Sequence, residues 1–192
     1  MHRISTSTIL VHLGTVPVVT IRDMTNNDLE RVLEINEANV PEVGPADLER
    51  LGFIVGESAM ALVVVDDSPD GRETIIGFCL VLAPGSTYDS INYLWFMQRY
   101  PDAYYLDRVA FDASAQGKGS GTALYAEVDR RLAEVGADLT LEVNIDPPNE
   151  PSLAFHRKHG FVEVGRHVSK GIEVSLQHKP TTHYVSGSDP KA

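Results

Sequence analysis

The stretch that decides the fold is VAFDASAQGKGSGT, which runs from Val109 to Thr122. A short apolar strand pattern leads into a turn with glycine at the alternate positions 117, 119 and 121, and a helical pattern follows. Glycine permits a positive φ and lets a ligand approach the backbone closely. A helix N-terminus leaves amide groups unpaired and carries partial positive charge, so this loop favours a phosphate or pyrophosphate ligand.

Two common phosphate loops do not fit this stretch. A Walker A loop needs glycine where Asp112 stands, and Ser or Thr where Gly119 follows Lys118. A Rossmann fingerprint needs a different glycine spacing, early in a βαβ unit. The pattern that does fit is Q-x-x-G-x-G, starting at Gln116. It resembles the acyl-CoA pyrophosphate loop of the GCN5-related N-acetyltransferase (GNAT) superfamily.

A second motif follows at the distance that this family requires. The segment NEPSLAFHRKHGF, residues 149–161, resembles the family pattern N-x-x-A-x-x-F-Y-x-K-x-G-F. Two positions depart from it, because Ser152 replaces alanine and His156 replaces tyrosine. The two motifs, in order and separated by a helix and a strand, identify the chain as a member of the superfamily, most strongly over residues 104–161.

The segment patterns predict the element order β-α-α-β-β-β-α-β-α-β-β, which is also the order of that family. We expect a single-domain α/β fold with a mixed central sheet flanked by helices. Residues 1–17 are predicted to be a variable lead-in, 18–179 the N-acetyltransferase domain, and 180–192 a flexible tail. A short second helix is expected from Ala46 to Leu51, and an irregular connection from Pro84 to Asp102.

Composition excludes several classes of function. The 192 residues include 27 acidic and 16 basic ones, and this balance argues against binding to nucleic acid or to an anionic membrane. No apolar run reaches transmembrane length. The single Cys79 excludes an internal disulfide and favours a reducing, cytoplasmic location. The sequence does not determine the oligomeric state, and a homodimer is one of the states that it allows.

The resemblance implies that acetyl-CoA is the co-substrate. The strand before the loop would bind its pantetheine arm through the backbone, the loop amides would hold its pyrophosphate, and the second motif would contact the arm again. The residues implied in acetyl-CoA binding are Val109, Phe111, Gln116, Gly117, Lys118, Gly119, Ser120, Gly121, Thr122, Asn149 and Phe155.

The reaction implied is direct attack of a primary amine, on a small molecule or a peptide, on the acetyl thioester. His156 stands where the family often has a tyrosine that protonates the departing sulfur, and histidine titrates near neutrality. The base is either Asp107, expected on the same strand face as Val109, or Glu142 on the next strand. The spacing of His156 and His159 lacks clustered acids, so we expect no metal.

The missing tyrosine leaves an alternative open: an acyl-CoA-binding sensor or regulatory module without turnover. For the enzyme, the carboxylates of Asp107 and Glu142 favour an ammonium group and disfavour an anionic one at the same depth. The expected acceptor is therefore a primary amine with no second anionic group close to its nitrogen.

Overall fold

The computed structural model describes residues 19–67, 73–115 and 118–181. The strands there are β1 Val19–Asp23, β2 Ser58–Asp67, β3 Glu73–Leu82, β4 Tyr104–Phe111, β5 Leu139–Asp146, β6 Val162–Ser169 and β7 Ile172–Lys179. The α-helices are α1 Leu29–Ala38, α2 Leu48–Glu57, α3 Ile91–Arg99, α4 Ser120–Val135 and α5 Glu150–Lys158. The predicted lead-in 1–17, residues 116 and 117 of the predicted loop, and 182–192 of the predicted tail lie outside the described residues.

The described strands form one sheet in the order β1-β2-β3-β4-β5-β7-β6. Neighbouring strands are antiparallel, except for the parallel pair β4 and β5. This confirms the predicted mixed α/β fold, with its central sheet flanked by helices. The predicted domain limits at residues 18 and 179 stay a prediction.

The sheet carries a hydrophobic core on each face. Residues 76 to 82 of β3 are buried without interruption, since alternate side chains enter opposite cores. On one face, called here the α1–α3 face, Ile35, Leu51 and Phe96 pack against the sheet. On the other face, called here the α4–α5 face, Leu124 and Val128 of α4 pack against the sheet. Each helix buries an apolar stripe, which is the usual origin of helical stability in a small domain.

The expectations for two connecting segments are wrong. The second helix extends from Leu48 to Glu57 rather than over 46–51, and the segment expected to be irregular contains α3. The helix forms because Tyr93 and Phe96 lie three residues apart and both enter the core of the α1–α3 face. The protein therefore has one helix more than the predicted order, and this helix lies between β3 and β4.

Strand β4 contains a β-bulge that turns one predicted site residue. Leu80 of β3 lies opposite Arg108, whereas Val81 lies opposite Leu106, so Asp107 is an extra residue in β4. A bulge interrupts the alternation of side chains between the two faces. The bulge decides where the Asp107 carboxylate lies in the candidate site.

Candidate active site

Strands β4 and β5 separate after a short pairing. Tyr104 lies opposite Leu139 and Tyr105 opposite Thr140, and the described register contains no further pair between the two strands. Farther on, β4 stays paired with β3 and β5 with β7. The separation opens a groove of about 590 Å³ between the end of β4, the start of α4 and the helix α5. The edge of β4 that faces β5 there can bind an extended ligand through its backbone.

The start of α4 places unpaired hydrogen-bond donors at one end of the groove. Gly119 is the N-cap and has a φ of 76°, the left-handed conformation that favours glycine. The first helical hydrogen bond runs from Ala123 N to Gly119 O. Among the described residues, none accepts a hydrogen bond from the amides of 119–122, and the buried hydroxyl of Ser120 has no partner either. These donors at a helix N-terminus fit a pyrophosphate group.

The glycine at position 121 keeps this end of the groove open. A Cβ built on Gly121 would lie 3.5 Å from the ring of Phe155, in ordinary van der Waals contact. A longer side chain there would project into the groove between the loop and α5, both of which line it. Gln116 and Gly117 belong to the same predicted loop but lie outside the described residues. Their role stays a prediction.

The two remaining predicted residues of the turn and helix start contribute differently. Thr122 lines the groove together with Gly119, Ser120 and Gly121. The Lys118 ammonium instead lies 3.1 Å from a carboxylate oxygen of Asp66 on β2, at a partly exposed site. Its positive charge is therefore shared with an acid, which weakens any contribution to the binding of an anion.

The predicted residues of β4 line the groove from its side. Val109 and Phe111 both contact it, and their side chains pack with the core of the α4–α5 face. The Phe111 ring lies over Gly77 of β3, where a Cβ would come within 2.3 Å of Phe111 Cδ1. The Phe111 carbonyl accepts a hydrogen bond of 3.1 Å from Asn39 Nδ2, which ties α1 to the strand.

Helix α5 supplies the opposite wall. Asn149 is its N-cap, and its Oδ1 accepts a hydrogen bond of 3.1 Å from Ser152 N. Asn149 also lines the groove, so the helix-cap and ligand-binding roles are compatible. Phe155 stacks on His159 with 3.9 Å between ring centroids and packs edge-on against Tyr125. The aromatic packing fixes α5 against α4.

His156 is 4% exposed and hydrogen-bonded through both ring nitrogens. Nδ1 lies 2.8 Å from the backbone carbonyl of Ser152, and Nε2 lies 2.6 Å from the hydroxyl of Tyr125. A carbonyl oxygen only accepts, so Nδ1 carries the proton and Nε2 accepts from Tyr125. Burial lowers the pKa of His156 to about 4. The expectation that it titrates near neutrality is wrong, because desolvation penalises the imidazolium.

The predicted position of Asp107 is wrong, because the bulge places its side chain on the other face from Val109. The 7% exposed carboxylate lies 3.2 Å from Arg108 Nε and is hydrogen-bonded to Tyr88, in the core of the α1–α3 face. Val109 packs on the α4–α5 face. Burial raises the pKa of Asp107, and the Arg108 guanidinium opposes that shift.

Glu142 on β5 faces the same side of the sheet. Its Oε1 accepts a hydrogen bond of 2.6 Å from Asn92 Nδ2, and its Oε2 accepts one of 2.7 Å from the hydroxyl of Tyr105. Burial and the negative charge of Asp107 raise the pKa of Glu142 to about 7, although both donors favour the ionised form. A carboxylate that exchanges its proton near neutral pH is suited to act as a general base.

A smaller cavity of about 70 Å³ adjoins the groove. Both carboxylates, of Asp107 and Glu142, line this cavity and not the groove. The residues that line both spaces are Glu42, Val43, Val109, Asn149, Ser152 and His156. The predicted catalytic residues therefore converge on one place, and His156 lies at the junction of the two spaces.

Sequence reasoning did not single out the partners of these residues. Tyr125, Tyr105 and Asn92 each bond directly to a predicted catalytic side chain. Tyr125 follows Leu124 in the apolar stripe of α4, so its position alone indicates only a core residue. One partner could have been predicted from local spacing. Ser152 lies four residues before His156 in α5, and residues four apart are neighbours on a helix.

Within the described residues, no group of three His, Cys, Asp or Glu side chains is arranged to hold a metal ion. His156 and His159 instead bond to backbone carbonyls of α5. Among the helices of the described residues, none is both long and apolar enough to cross a membrane.

The comparisons with known proteins agree with this geometry. The sequence model of the acetyltransferase (GNAT) family matches residues 29–161. This range includes the residues that line the groove and the small cavity, and it includes the start of α4. The chain belongs to this family, and its class is that of the acyl-CoA-dependent N-acyltransferases. No curated protein sequence matches the chain.

Solved structures show the same fold at low identity. The ribosomal-protein-S18-alanine N-acetyltransferase from Escherichia coli aligns with a TM-score of 0.64 at 17% identity, over 90% of this chain and 99% of that one. Ard1 from Thermoplasma volcanium aligns with 0.67 at 18%, over 86% and 99%. Arabidopsis thaliana NAA60 in complex with a bisubstrate analogue aligns with 0.66 at 20%, over 85% and 98%.

Proposed function

We propose that this acetyltransferase moves the acetyl group of acetyl-CoA to a primary amine of a small molecule or a peptide by direct attack. The observation that carries the proposal is the junction of two spaces at His156. One space ends at the anion-binding helix start, and the other contains two buried carboxylates. Such a layout brings an acyl donor and a basic acceptor together from opposite sides.

The groove accounts for the donor. The amides of residues 119–122 and the Ser120 hydroxyl would hold the pyrophosphate. The edge of β4 that faces the groove at Val109 and Phe111 would bind the pantetheine arm, with the Phe111 carbonyl also bonded to Asn39 Nδ2. When bound, acetyl-CoA supplies the thioester whose carbonyl carbon is attacked. A micromolar dissociation constant is expected, in the usual range for a co-substrate.

The small cavity accounts for the acceptor. Glu142 takes the proton from the ammonium group, because its raised pKa of about 7 leaves it ionised at mildly alkaline pH and still basic. Asp107, paired with Arg108, remains a fixed negative charge that attracts the ammonium group. The two acids thus have different partners and different roles.

The departing sulfur needs a proton, and the neutral imidazole of His156 has none to give from Nε2. The hydroxyl of Tyr125 carries the nearest transferable proton, and it already points at Nε2 across 2.6 Å. We propose that Tyr125 gives this proton to the departing sulfur as its O–H turns away from Nε2, after His156 has held the hydroxyl at the groove. The proton released by the acceptor nitrogen then returns to the tyrosine oxygen. The pair would replace the tyrosine that the family often has at position 156.

The charges of the cavity favour an acceptor with no second anion near its nitrogen. Glu42 adds a third acid to the lining of the cavity. The guanidinium of Arg108 is hydrogen-bonded to Asn36 Oδ1, the Gly44 carbonyl and Asp107. Arg108 lines neither the groove nor the small cavity, so it does not face a substrate carboxylate there. The small cavity has room for only a few groups the size of a water molecule, so it fits an acceptor whose amine end is narrow.

The test uses amines in pairs that differ in one carboxylate. Release of free thiol from acetyl-CoA is measured with tyramine and tyrosine, with agmatine and arginine, and with a short peptide whose amino terminus is free. We expect turnover with the members that lack the α-carboxylate. Turnover confined to the amino acids would overturn the acceptor class, because it would show that a cation outweighs the acids.

The sensor without turnover remains the second candidate, and the neutral state of His156 is the observation that favours it. The two readings differ in one measurement. Tight calorimetric binding of acetyl-CoA with no thiol release for any amine would favour the sensor. We also propose a cytoplasmic location, since the buried thiol of Cys79 suits a reducing compartment.

A further inference from the structure

The added helix α3 is fixed against the sheet at several points. The Tyr93 hydroxyl donates to the Ala83 carbonyl and accepts from Ser86 N, at 3.0 and 2.9 Å. The ring of Trp95 covers Gly165 of β6, where a Cβ would come within 2.9 Å of Trp95 Cζ2. Side chains on this helix are therefore held in definite positions over β5, β6 and β7.

Asn92, in the first turn of α3, is 6% exposed and uses both ends of its amide. Its Nδ2 donates to Glu142 Oε1 at 2.6 Å, and its Oδ1 accepts from His167 Nε2 at 2.5 Å. The direction is fixed, because a carboxylate oxygen only accepts and so must face the amide nitrogen. His167 on β6 in turn holds the amide in this orientation.

The Glu142 carboxylate is thereby held from both sides. The Tyr105 hydroxyl binds Oε2 and Asn92 binds Oε1, which leaves one lone pair on each oxygen for the acceptor. Both bonds favour the ionised carboxylate over the acid. Removal of one donor from a buried carboxylate would make it easier to protonate and freer to rotate.

We propose that Asn92 is a positioning residue for the reaction, which keeps Glu142 ionised and directed at the acceptor amine. This inference rests on the proposed function, in which Glu142 is the base. It assigns the added helix α3 a part in catalysis: α3 brings a donor to the acid from outside the β4–β5 opening.

Other groups also act on the charge of Glu142 and must stay constant in a test. The titratable or charged side chains that surround it from the neighbouring elements are Asp107, Tyr105 and Arg108 on β4, Tyr88 before α3, His167 on β6, His156 on α5 and Glu42 after α1. Substitutions at Asn92 leave these side chains unchanged, except that His167 loses its hydrogen-bond partner Asn92 Oδ1.

The experiment compares Asn92→Leu and Asn92→Asp with Gln98→Leu, a control on the exposed side of α3. The Glu142 carboxyl is titrated by ¹³C NMR, with its signal assigned from its loss in Glu142→Gln. We expect the midpoint, about 7 in the native protein, to rise by about one pH unit or more in both Asn92 variants. The control should leave it unchanged, as should acetyl-CoA affinity in all three.

Kinetic measurements then distinguish the positioning role of Asn92 from the proposed function. With an accepted amine, the acidic limb of kcat should move by the same amount, and kcat at pH 7 should fall at least about fivefold while the KM for acetyl-CoA stays constant. An unmoved NMR midpoint in both folded variants would overturn the role of Asn92. A moved midpoint in a protein that acetylates no amine would support the positioning role and contradict the proposed function.

Discussion

Nε2 of His156 and the hydroxyl oxygen of Tyr125 lie 2.6 Å apart, buried at the junction of the groove and the small cavity. Because the Ser152 carbonyl holds the proton on Nδ1, the tyrosine is the donor of this bond. The pair thus has one transferable proton, and it belongs to Tyr125.

Tyr125→Phe should therefore lower kcat about a hundredfold, the usual contribution of an acid catalyst, and leave acetyl-CoA affinity nearly unchanged. His156→Ala should lower kcat in the same way, because the hydroxyl loses its orientation. The double variant should be no slower than the slower single one, since the two residues act as a unit. Additive losses in single-turnover assays would show that they act separately.

His156 should make the fold sensitive to acid. Its pKa is about 4 in the native protein and near 6.5 when unfolded. Between these values the unfolded chain binds the proton and the native protein does not, so stability is lost as pH falls from 6.5 to 4. The loss amounts to about 2–3 kcal/mol in the free energy of unfolding.

The measurement is urea denaturation at pH 7 and pH 4.5, in the native protein and in His156→Gln. Glu142 acts in the opposite direction over this range, because its raised pKa makes the native protein take up a proton first. Because His156→Gln retains Glu142, this contribution is the same in both proteins and cancels when their pH dependences are compared. An equal pH dependence in both proteins would contradict the prediction.

Glu142→Gln should lower kcat by about a hundredfold or more, because the amide cannot take the proton. In the native protein kcat should fall as pH drops through about 7, where Glu142 becomes protonated. This limb should be absent from the residual activity of the variant. The control is Glu134→Gln, a mostly exposed glutamate on α4, which should behave as the native protein does.

Gly121→Asp should abolish acetyl-CoA binding, since it adds bulk and negative charge beside the unpaired amides of the helix start. Gly121→Ala is the matched variant, because its Cβ would only reach van der Waals contact with Phe155. Calorimetry should detect binding for alanine and none for aspartate, with both proteins folded. Equal binding by the two variants would place the pyrophosphate elsewhere.

Lys118 and Asp66 form an ion pair, and removal of one or the other side chain should have opposite effects on acetyl-CoA affinity. Lys118→Ala should weaken acetyl-CoA binding by no more than about threefold, because Asp66 shares its charge and exposed ion pairs contribute little. Asp66→Ala should strengthen binding slightly, since it frees the ammonium for the pyrophosphate. A large loss of affinity in Lys118→Ala would assign the lysine a direct contact.

The local patterns determined the order of the strands along the chain, the helices α4 and α5, and the glycine at the start of α4. Gly119 at the start of α4, Gly136 after its end and Asn149 before α5 are decided by backbone geometry within a few residues. Such choices depend on neighbours in the chain and are therefore readable from it. The same holds for the family, because both of its motifs are contiguous.

Helix α3 shows where local patterns were not enough. Tyr93, Phe96 and Met97 have helical spacing, which is a signal that could have predicted the helix. Aromatic residues have modest helix propensity, however, and this segment also suits an irregular connection. Its helical form is stabilised by contacts with Tyr105 and Gly165, which are distant in the sequence.

By itself, the sequence placed His156, Asp107 and Glu142 near the predicted acyl-CoA loop, but it did not determine their protonation or the direction of their side chains. The bulge at Asp107 arises from a shifted register between β3 and β4, and the pKa values of His156 and Glu142 arise from burial among residues of other elements. Only the tertiary structure decided these properties, because desolvation and charge coupling depend on distance in space and not on spacing along the chain.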